Sequence, residues 1–323
     1  TGLAKTSLVL TQLSQQVKPT LHKAQGGTEI LYDNLAKRVD LTGVNLIKSV
    51  CAFELLSPNK PNILWQHLNT NEQNVQLLNY PDYVKRLDAI VFVSHWQHEK
   101  FRRAFPLDNT PCYVIQNCIE PIEKHEKPDT LRLIYTSTPW RGLDLLAEVF
   151  ERLGRVDVEL VVYSGTSIYG PQFHEQTKHQ FQSIYDRLKS VGARHIEYAP
   201  NSEIREALKK AHILAYPNNW EETSCLAAIE AMSAGCQVVT SNFGALPETC
   251  GTWAEFTPLG EDFIQRYTQS LSDAISRFWT QENQRKLADQ VEYYNRYWTW
   301  DSRIKQWEGL IDSFKLRKQI QAA

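Results

Sequence analysis

The feature that most constrains this chain is a regular alternation between short apolar, β-branched runs and stretches with helical spacing. Strands are expected at residues 7–13, 45–50, 62–66, 88–94 and 112–116, then at 131–136, 158–163, 195–198, 213–216 and 237–241. Several are continuously apolar, such as Ala89-Ile90-Val91-Phe92-Val93 and Leu160-Val161-Val162-Tyr163. Strands covered on both faces read that way, which points to parallel sheets sandwiched by helices. Helical patterns fill the gaps at 28–39, 142–153, 202–211 and 224–234. Strand–helix alternation of this kind predicts doubly wound α/β units.

A chain of 323 residues exceeds what one core usually holds, so two domains are expected. The stretch 120–130 (EPIEKHEKPDT) is polar, charged and carries two prolines, which reads as a linker. The expected division is therefore 1–120, 121–300 and a last helix over 301–323. Beyond about Gly260 the pattern is wholly helical, and Trp298, Trp300 and Trp307 give the final helix an apolar side. Open parallel sheets bind ligands outside the carboxyl ends of their strands, so a cleft between the domains is the expected site.

Composition removes other classes. The formal net charge of −2 offers no ground for a nucleic-acid partner. No run approaches the roughly 18 apolar residues of a membrane span, and residues 1–13 lack the pattern of a signal peptide. The chain begins without Met. Six cysteines with no CxxC pair read as free thiols in a reducing compartment, so a cytoplasmic location is expected.

The chemistry concentrates in residues 216–248, YPNNWEETSCLAAIEAMSAGCQVVTSNFGALPE. A strand ends at Tyr216-Pro217, a polar loop carries Glu222, and Thr223 or Ser224 is the expected N-cap of an apolar helix. Free N–H groups near Cys225 and Leu226 would then suit an anion. Glu230 stands among Leu226, Ala227, Ile229, Ala231 and Met232 and needs a partner there. The vicinal hydroxyls of a ribose, or a Lys or Arg, would each serve. For Glu222 the plain reading is a carboxylate offsetting the helix dipole.

Two glutamates separated by seven residues, followed by A-M-S-A-G, an apolar strand and G-A-L-P-E, resemble the donor-site signature of retaining GT-B glycosyltransferases of family 4, the group 1 glycosyltransferases. The resemblance implies two Rossmann-like domains facing a cleft, with the last helix packing back across them. It implies that Glu230 holds the ribose hydroxyls, that Glu222 lies near the donor sugar, and that the backbone from Thr223 and Ser224 to Leu226 and Ala227 cradles the diphosphate. The Gly26-Gly27 pair before a helix with Ile30, Leu31, Leu35 and Val39 on one side lets backbone approach a phosphate closely. In the family's pattern that loop lies beside the donor phosphates.

In Tyr135-Thr136-Ser137-Thr138-Pro139-Trp140-Arg141-Gly142 a strand opens into a helix. Family members place an Arg and a Lys there; Arg141 matches the second position, and Ser137 or Thr138 occupies the first. An Arg grips two phosphate oxygens at once, whereas the plain reading is a surface Arg near a helix start. His67, at a strand end in Leu64-Trp65-Gln66-His67-Leu68-Asn69, matches a His often found near sugar and acceptor, although Leu-Asn replaces the usual acidic residue. His95 is a second strand-end candidate.

The implied reaction moves a hexose from a UDP- or GDP-sugar to a saccharide or other hydroxyl acceptor with retention, using Glu222, Arg141 and His67 and no assigned nucleophile. The chain has no Asp-x-Asp pair to anchor a metal-bound diphosphate, so neither metal nor further cofactor is expected. Alternatives are an epimerase or phosphorylase on the same fold and a non-catalytic nucleotide-sugar-binding relative. A dinucleotide oxidoreductase lacks its G-x-G-x-x-G. The nucleobase is expected near 199–203, its identity open. The basic, aromatic last helix (Arg303, Lys305, Trp307, Lys315, Arg317, Lys318) offers a peripheral membrane contact as a second reading. The stretch 164–190 reads as an enlarged loop and helix without an assigned role.

Overall fold

The computed structural model describes residues 26–123 and 125–322, with side chains of 317–322 excepted. The strand expected at 7–13 therefore lies outside the described residues. The chain divides into two compact units, one of Thr28–Gln116 with Ile304–Ala323, the other of Asn117–Arg303 with the short piece Ala24–Gly27.

The first unit opens with α1 (Gly27–Ala36), whose first residue, Gly27, groups with the second unit; the helix buries Leu31 and Leu35. It continues through β1 (Asn45–Lys48), β2 (Asn62–Gln66), α2 (Pro81–Val84), β3 (Ala89–Phe92), α3 (His95–Ala104) and β4 (Cys112–Val114). The four strands lie parallel in the order β1-β2-β3-β4. Every residue of β2 and β3 is buried, as their unbroken apolar runs require. Leu64, Ile90 and Phe92 meet Val75, Leu78, Tyr83 and Phe101 in the core. Ser94 caps α3 by accepting from Gln97 N at 3.0 Å.

The second unit contains β5 (Arg132–Thr136), α4 (Leu143–Leu153), β6 (Glu159–Tyr163), α5 (Pro171–Ser190), β7 (Arg194–Ile196), α6 (Asn201–Lys209) and β8 (Ile213–Tyr216). Then follow α7 (Leu226–Ser233), β9 (Gln237–Ser241), α8 (Leu246–Cys250), β10 (Glu255–Thr257), α9 (Phe263–Arg277) and α10 (Gln281–Tyr297). The last helix, α11 (Trp300–Ala322), runs from this unit into the first. Six parallel strands lie in the order β10-β9-β8-β5-β6-β7. The chain winds outward from β5 through β6 to β7, then returns to the other side of β5 with β8, β9 and β10. That is the doubly wound order of a Rossmann sheet, and its direction reverses between β5 and β8.

Three differences from the sequence reading have physical causes. β10 was not expected, because three residues (Glu255, Phe256, Thr257) carry no readable period. Strands end one or two residues sooner than the apolar runs at several places, as with Asn45–Lys48. The stretch 120–130 is anchored to the second unit: Ile119 N donates to Trp298 O at 2.9 Å and Ile122 N to Ser233 Oγ at 2.9 Å. Ile119 and Ile122 are buried, so the polar residues around them decorate a docked segment, and the units part after Gln116.

Candidate active site

At the reversal point, β5 and β8 end side by side and their following loops press together. Gly142 stands at the N-cap of α4 with φ +88°, and a Cβ there would run into the Pro217 carbonyl. Only glycine suits both the left-handed backbone and the close approach. Tyr135 OH donates to Thr138 O at 2.8 Å and Arg141 O at 3.2 Å, bracing the loop from below.

This loop delivers Arg141 to Glu222. Arg141 Nη1 lies 2.9 Å from Glu222 Oε1, and Tyr216 OH donates to the same oxygen at 2.5 Å. Ser137 Oγ is 3.4 Å from Tyr216 OH. Glu222 is only 2% exposed, and such a carboxylate persists only when paired. Its backbone is seated by Ala245 N, which donates to Glu222 O at 2.7 Å beside Gly244 at φ +66°. Burial works against the Arg141 charge, yet the Glu222 carboxylate holds the guanidinium above its ordinary range. Burial keeps the Tyr135 and Tyr216 hydroxyls neutral, so both act as donors. Arg141, expected from the sequence as a phosphate ligand with a surface Arg as the plain reading, pairs in the structure with the first glutamate of the signature.

The start of α7 corrects the expected N-cap. Cys225, not Thr223 or Ser224, occupies that position with extended backbone (φ −130°, ψ 94°), and its side chain makes no capping hydrogen bond. Cys225 is buried and turned into the core, which leaves the Ser224 hydroxyl one residue too early to reach the N–H groups that a cap satisfies. Ser224 Oγ is buried without a hydrogen-bond partner among the described residues, as are Thr138 Oγ1 and Arg141 Nε. An unpaired buried polar atom costs about 1–3 kcal/mol, so such groups on the loops that follow β5 and β8 are ones a ligand would satisfy. Gly27, which belongs with the second unit, lies where a Cβ would come within 2.9 Å of Leu226 Cδ1, the first residue of α7. Gly26 precedes it, partly exposed.

Glu230 sits midway along α7 and finds protein partners. Asn201 Nδ2 reaches its Oε1 at 3.0 Å and Oε2 at 3.3 Å, and Arg205 Nη1 lies 3.6 Å from Oε1. Burial raises the carboxyl pKa, opposed by the Asn201 hydrogen bond and the Arg205 charge. Of the partners named from sequence, an Arg is present; Asn201 was missed in this role. Its signal was weak: a polar residue opening a helix after the edge strand β7.

His67 belongs to the first unit, just past β2. Its Nδ1 is 3.3 Å from Ser49 Oγ, and its ring packs on Trp65 with centroids 4.6 Å apart. Burial pushes its pKa down to about 3, so the imidazole is neutral at physiological pH. His95 is exposed at the start of α3. Trp307 is buried edge-on against Trp65 at 4.9 Å, so this aromatic ring of the last helix faces the first unit's interior and not solvent.

With this geometry in hand, the model of the family described as glycosyl transferases group 1 matches residues 116–298, more than half of the chain. The chain belongs to the group 1 glycosyltransferases. This glycosyltransferase is 26% identical over 167 residues to a phosphatidylinositol N-acetylglucosaminyltransferase subunit of Homo sapiens, covering 49% of this chain and 33% of that one. The Arabidopsis thaliana counterpart matches at 26% over 171 residues, covering 50% and 36%. The match thus spans about a third of the length of these relatives. Among solved structures, Anabaena HepE in complex with UDP and glucose superimposes with TM-score 0.67 at 15% identity, covering 90% of this chain and 84% of HepE. A glycosyltransferase from Rickettsia africae gives 0.64 at 12%, covering 95% and 87%. The fold is GT-B. Among the described residues no helix is long and apolar enough to cross a membrane, and no three His, Cys, Asp or Glu side chains gather as a metal site.

Proposed function

We propose that this group 1 glycosyltransferase transfers a hexose from a nucleoside-diphosphate donor, a UDP- or GDP-sugar, to a hydroxyl of a saccharide or other acceptor, with retention and without a metal. The observation that carries this reading is the start of α7, with the buried unpaired Ser224 hydroxyl just before it, beside the Arg141–Glu222 pair at the reversal point of a Rossmann sheet. Helix start, cation and unpaired hydroxyl are what a diphosphate requires. UDP is the nucleotide bound in the HepE complex, which puts UDP-sugars first among donors to test.

Cleaving the anomeric bond puts negative charge on the departing diphosphate and positive charge on the sugar ring. Arg141, the N–H groups at Leu226 and Ala227, the Ser224 hydroxyl and the Gly26-Gly27 backbone stabilise the first. Glu222, its Oε1 fixed by Arg141 and Tyr216, orients the sugar and offsets the second. Glu230 receives the ribose hydroxyls. His67, neutral, serves as a hydrogen-bonding group for sugar or acceptor. The leaving phosphate takes the acceptor proton on the face it departs from, which retains configuration without a protein nucleophile. Absence of an Asp-x-Asp pair assigns charge neutralisation to Arg141 and the helix. Six cysteines that form no disulfide fit a cytoplasmic setting.

The test is a panel of UDP-, GDP- and ADP-sugars with wild type and Glu230→Ala, reading thermal shift, nucleotide release in EDTA and the anomeric configuration of the product. A donor that stabilises wild type, turns over in EDTA and loses its effect in the variant supports the reading. If no nucleotide-sugar shifts wild type, it fails. Binding with no transfer points to a non-catalytic relative, and release without a new glycosidic bond to an epimerase or phosphorylase.

A further inference from the structure

Two residues of one helix hold the carboxylate of Glu230, and their arrangement carries more than a structural contact. Asn201 is the first residue of α6, and Arg205 follows one turn later on the same face. The Asn201 amide nitrogen straddles both carboxylate oxygens at 3.0 and 3.3 Å, which fixes the plane of the group. Arg205 presents Nη1 to Oε1 at 3.6 Å, while its Nη2 donates to Pro121 O at 2.9 Å. The guanidinium is therefore tethered to backbone at one end and aimed at Glu230 with the other.

This matters because burial favours the neutral acid, and Arg205 is the charged group that acts against it. From α10, the side chains that hydrogen-bond to α7 include the uncharged Gln290 and Asn295, on Met232 O and Ser233 Oγ. A carboxylate accepts from two vicinal hydroxyls; a carboxylic acid presents an O–H and loses an acceptor. We infer that Asn201 and Arg205 are positioning residues, Asn201 setting the plane of Glu230 and Arg205 keeping it ionised, so that a ribose diol meets a ready acceptor. The inference rests on the ribose role proposed for Glu230.

The experiment compares wild type, Arg205→Gln and Arg205→Lys in two ways. The first follows the Glu230 carboxyl by 13C NMR through a pH titration of ligand-free protein, with Glu230→Gln identifying the signal. The second measures UDP and GDP affinity by calorimetry at pH 7.5 and 5.5. The expected result is a Glu230 midpoint that rises in Arg205→Gln and returns in Arg205→Lys. Between the two pH values the nucleotide affinity of Arg205→Gln should fall roughly three- to tenfold further than that of wild type. An unchanged midpoint overturns the inference, as does an affinity loss equal at both pH values, which marks a merely structural residue. A midpoint that moves while wild type binds neither nucleotide contradicts the nucleotide site and leaves the Arg205–Glu230 coupling standing.

Discussion

At the carboxyl end of the first sheet, side chains close the loops upon themselves. Gln66 Nε2 donates to Ser49 O at 3.1 Å, and Leu68 N donates back to Gln66 Oε1 at 2.7 Å. Gln97 Nε2 donates to Leu68 O at 2.9 Å, and its Oε1 accepts from Val93 N at 2.9 Å. At the carboxyl ends of β5 and β8, by contrast, Thr138 Oγ1, Arg141 Nε and Ser224 Oγ are buried and unpaired among the described residues, and the N-cap residue of α7, Cys225, makes no capping hydrogen bond. The two strand ends differ in degree: Trp65 Nε1 in the first sheet is also buried without a hydrogen-bond partner among the described residues, but the loop amides beside it satisfy one another. Where buried backbone and amide groups satisfy one another, the loop is a structural closure. Where they do not, the fold has left hydrogen-bonding capacity for something that arrives later.

The comparison breaks most visibly at Glu222. Glu222→Gln should lower turnover about 100-fold or more, as expected for losing a fixed group at the reacting centre. It should also lower the melting temperature by several °C, because Arg141 keeps its charge without its partner. Changing both Arg141→Met and Glu222→Leu should restore the melting temperature but not turnover. If the double variant regains turnover, the pair is only structural. Gly142→Ala comes next: the positive φ and the Pro217 carbonyl predict a loss of about 2 kcal/mol or more in thermal or denaturant unfolding. An unchanged midpoint would show that the loop can move away from β8.

Gln97→Ala sharpens the contrast from the other side. It should cost about 1–2 kcal/mol by orphaning Val93 N and Leu68 O, yet leave nucleotide affinity unchanged. Affinity falling with stability would erase the distinction between the two strand ends. The smallest effect is expected at His67. Its folded pKa of about 3 lies below the ordinary value near 6.5, so the unfolded chain takes up the proton first as pH falls. Stability is therefore fully present above about 6.5 and declines from there toward 3, by at most about 1 kcal/mol per pH unit for a partly exposed residue. His67→Asn should flatten part of that decline in melting scans between pH 7 and 5. His212, pushed down to about 4 by burial, acts in the same direction and keeps the rest.

Elements whose signal is local were legible in the sequence. The apolar runs at Ala89–Phe92 and Glu159–Tyr163, and the helix carrying Glu230, stood close to where periodicity put them. The alternation and the spacing of Glu222 and Glu230 led to the family, because the signature is contiguous. What stayed hidden depends on chain-distant partners or on single dihedrals. Arg141 and Glu222 are 81 residues apart, and nothing in either segment announces that they pair. Asn201 lies 29 residues from Glu230 across a helix and a strand, and its role follows only from the packing of α6 beside α7. The cap of α7 shifted by one residue because Cys225 turns into the core, a choice that hydroxyl propensity at Thr223 and Ser224 does not foresee. The linker reading of 120–130 counted polar residues and overlooked the buried Ile122 within it and Ile119 just before it.

The most direct test is calorimetric: UDP against uridine, and GDP against guanosine, with wild type and Arg141→Gln at one ionic strength. The account places a diphosphate at Arg141 and the start of α7. It predicts that wild type binds one diphosphate at least about tenfold more tightly than its nucleoside, and that Arg141→Gln removes most of that difference. Equal affinities for diphosphate and nucleoside in wild type, or a ratio untouched by the substitution, would contradict it.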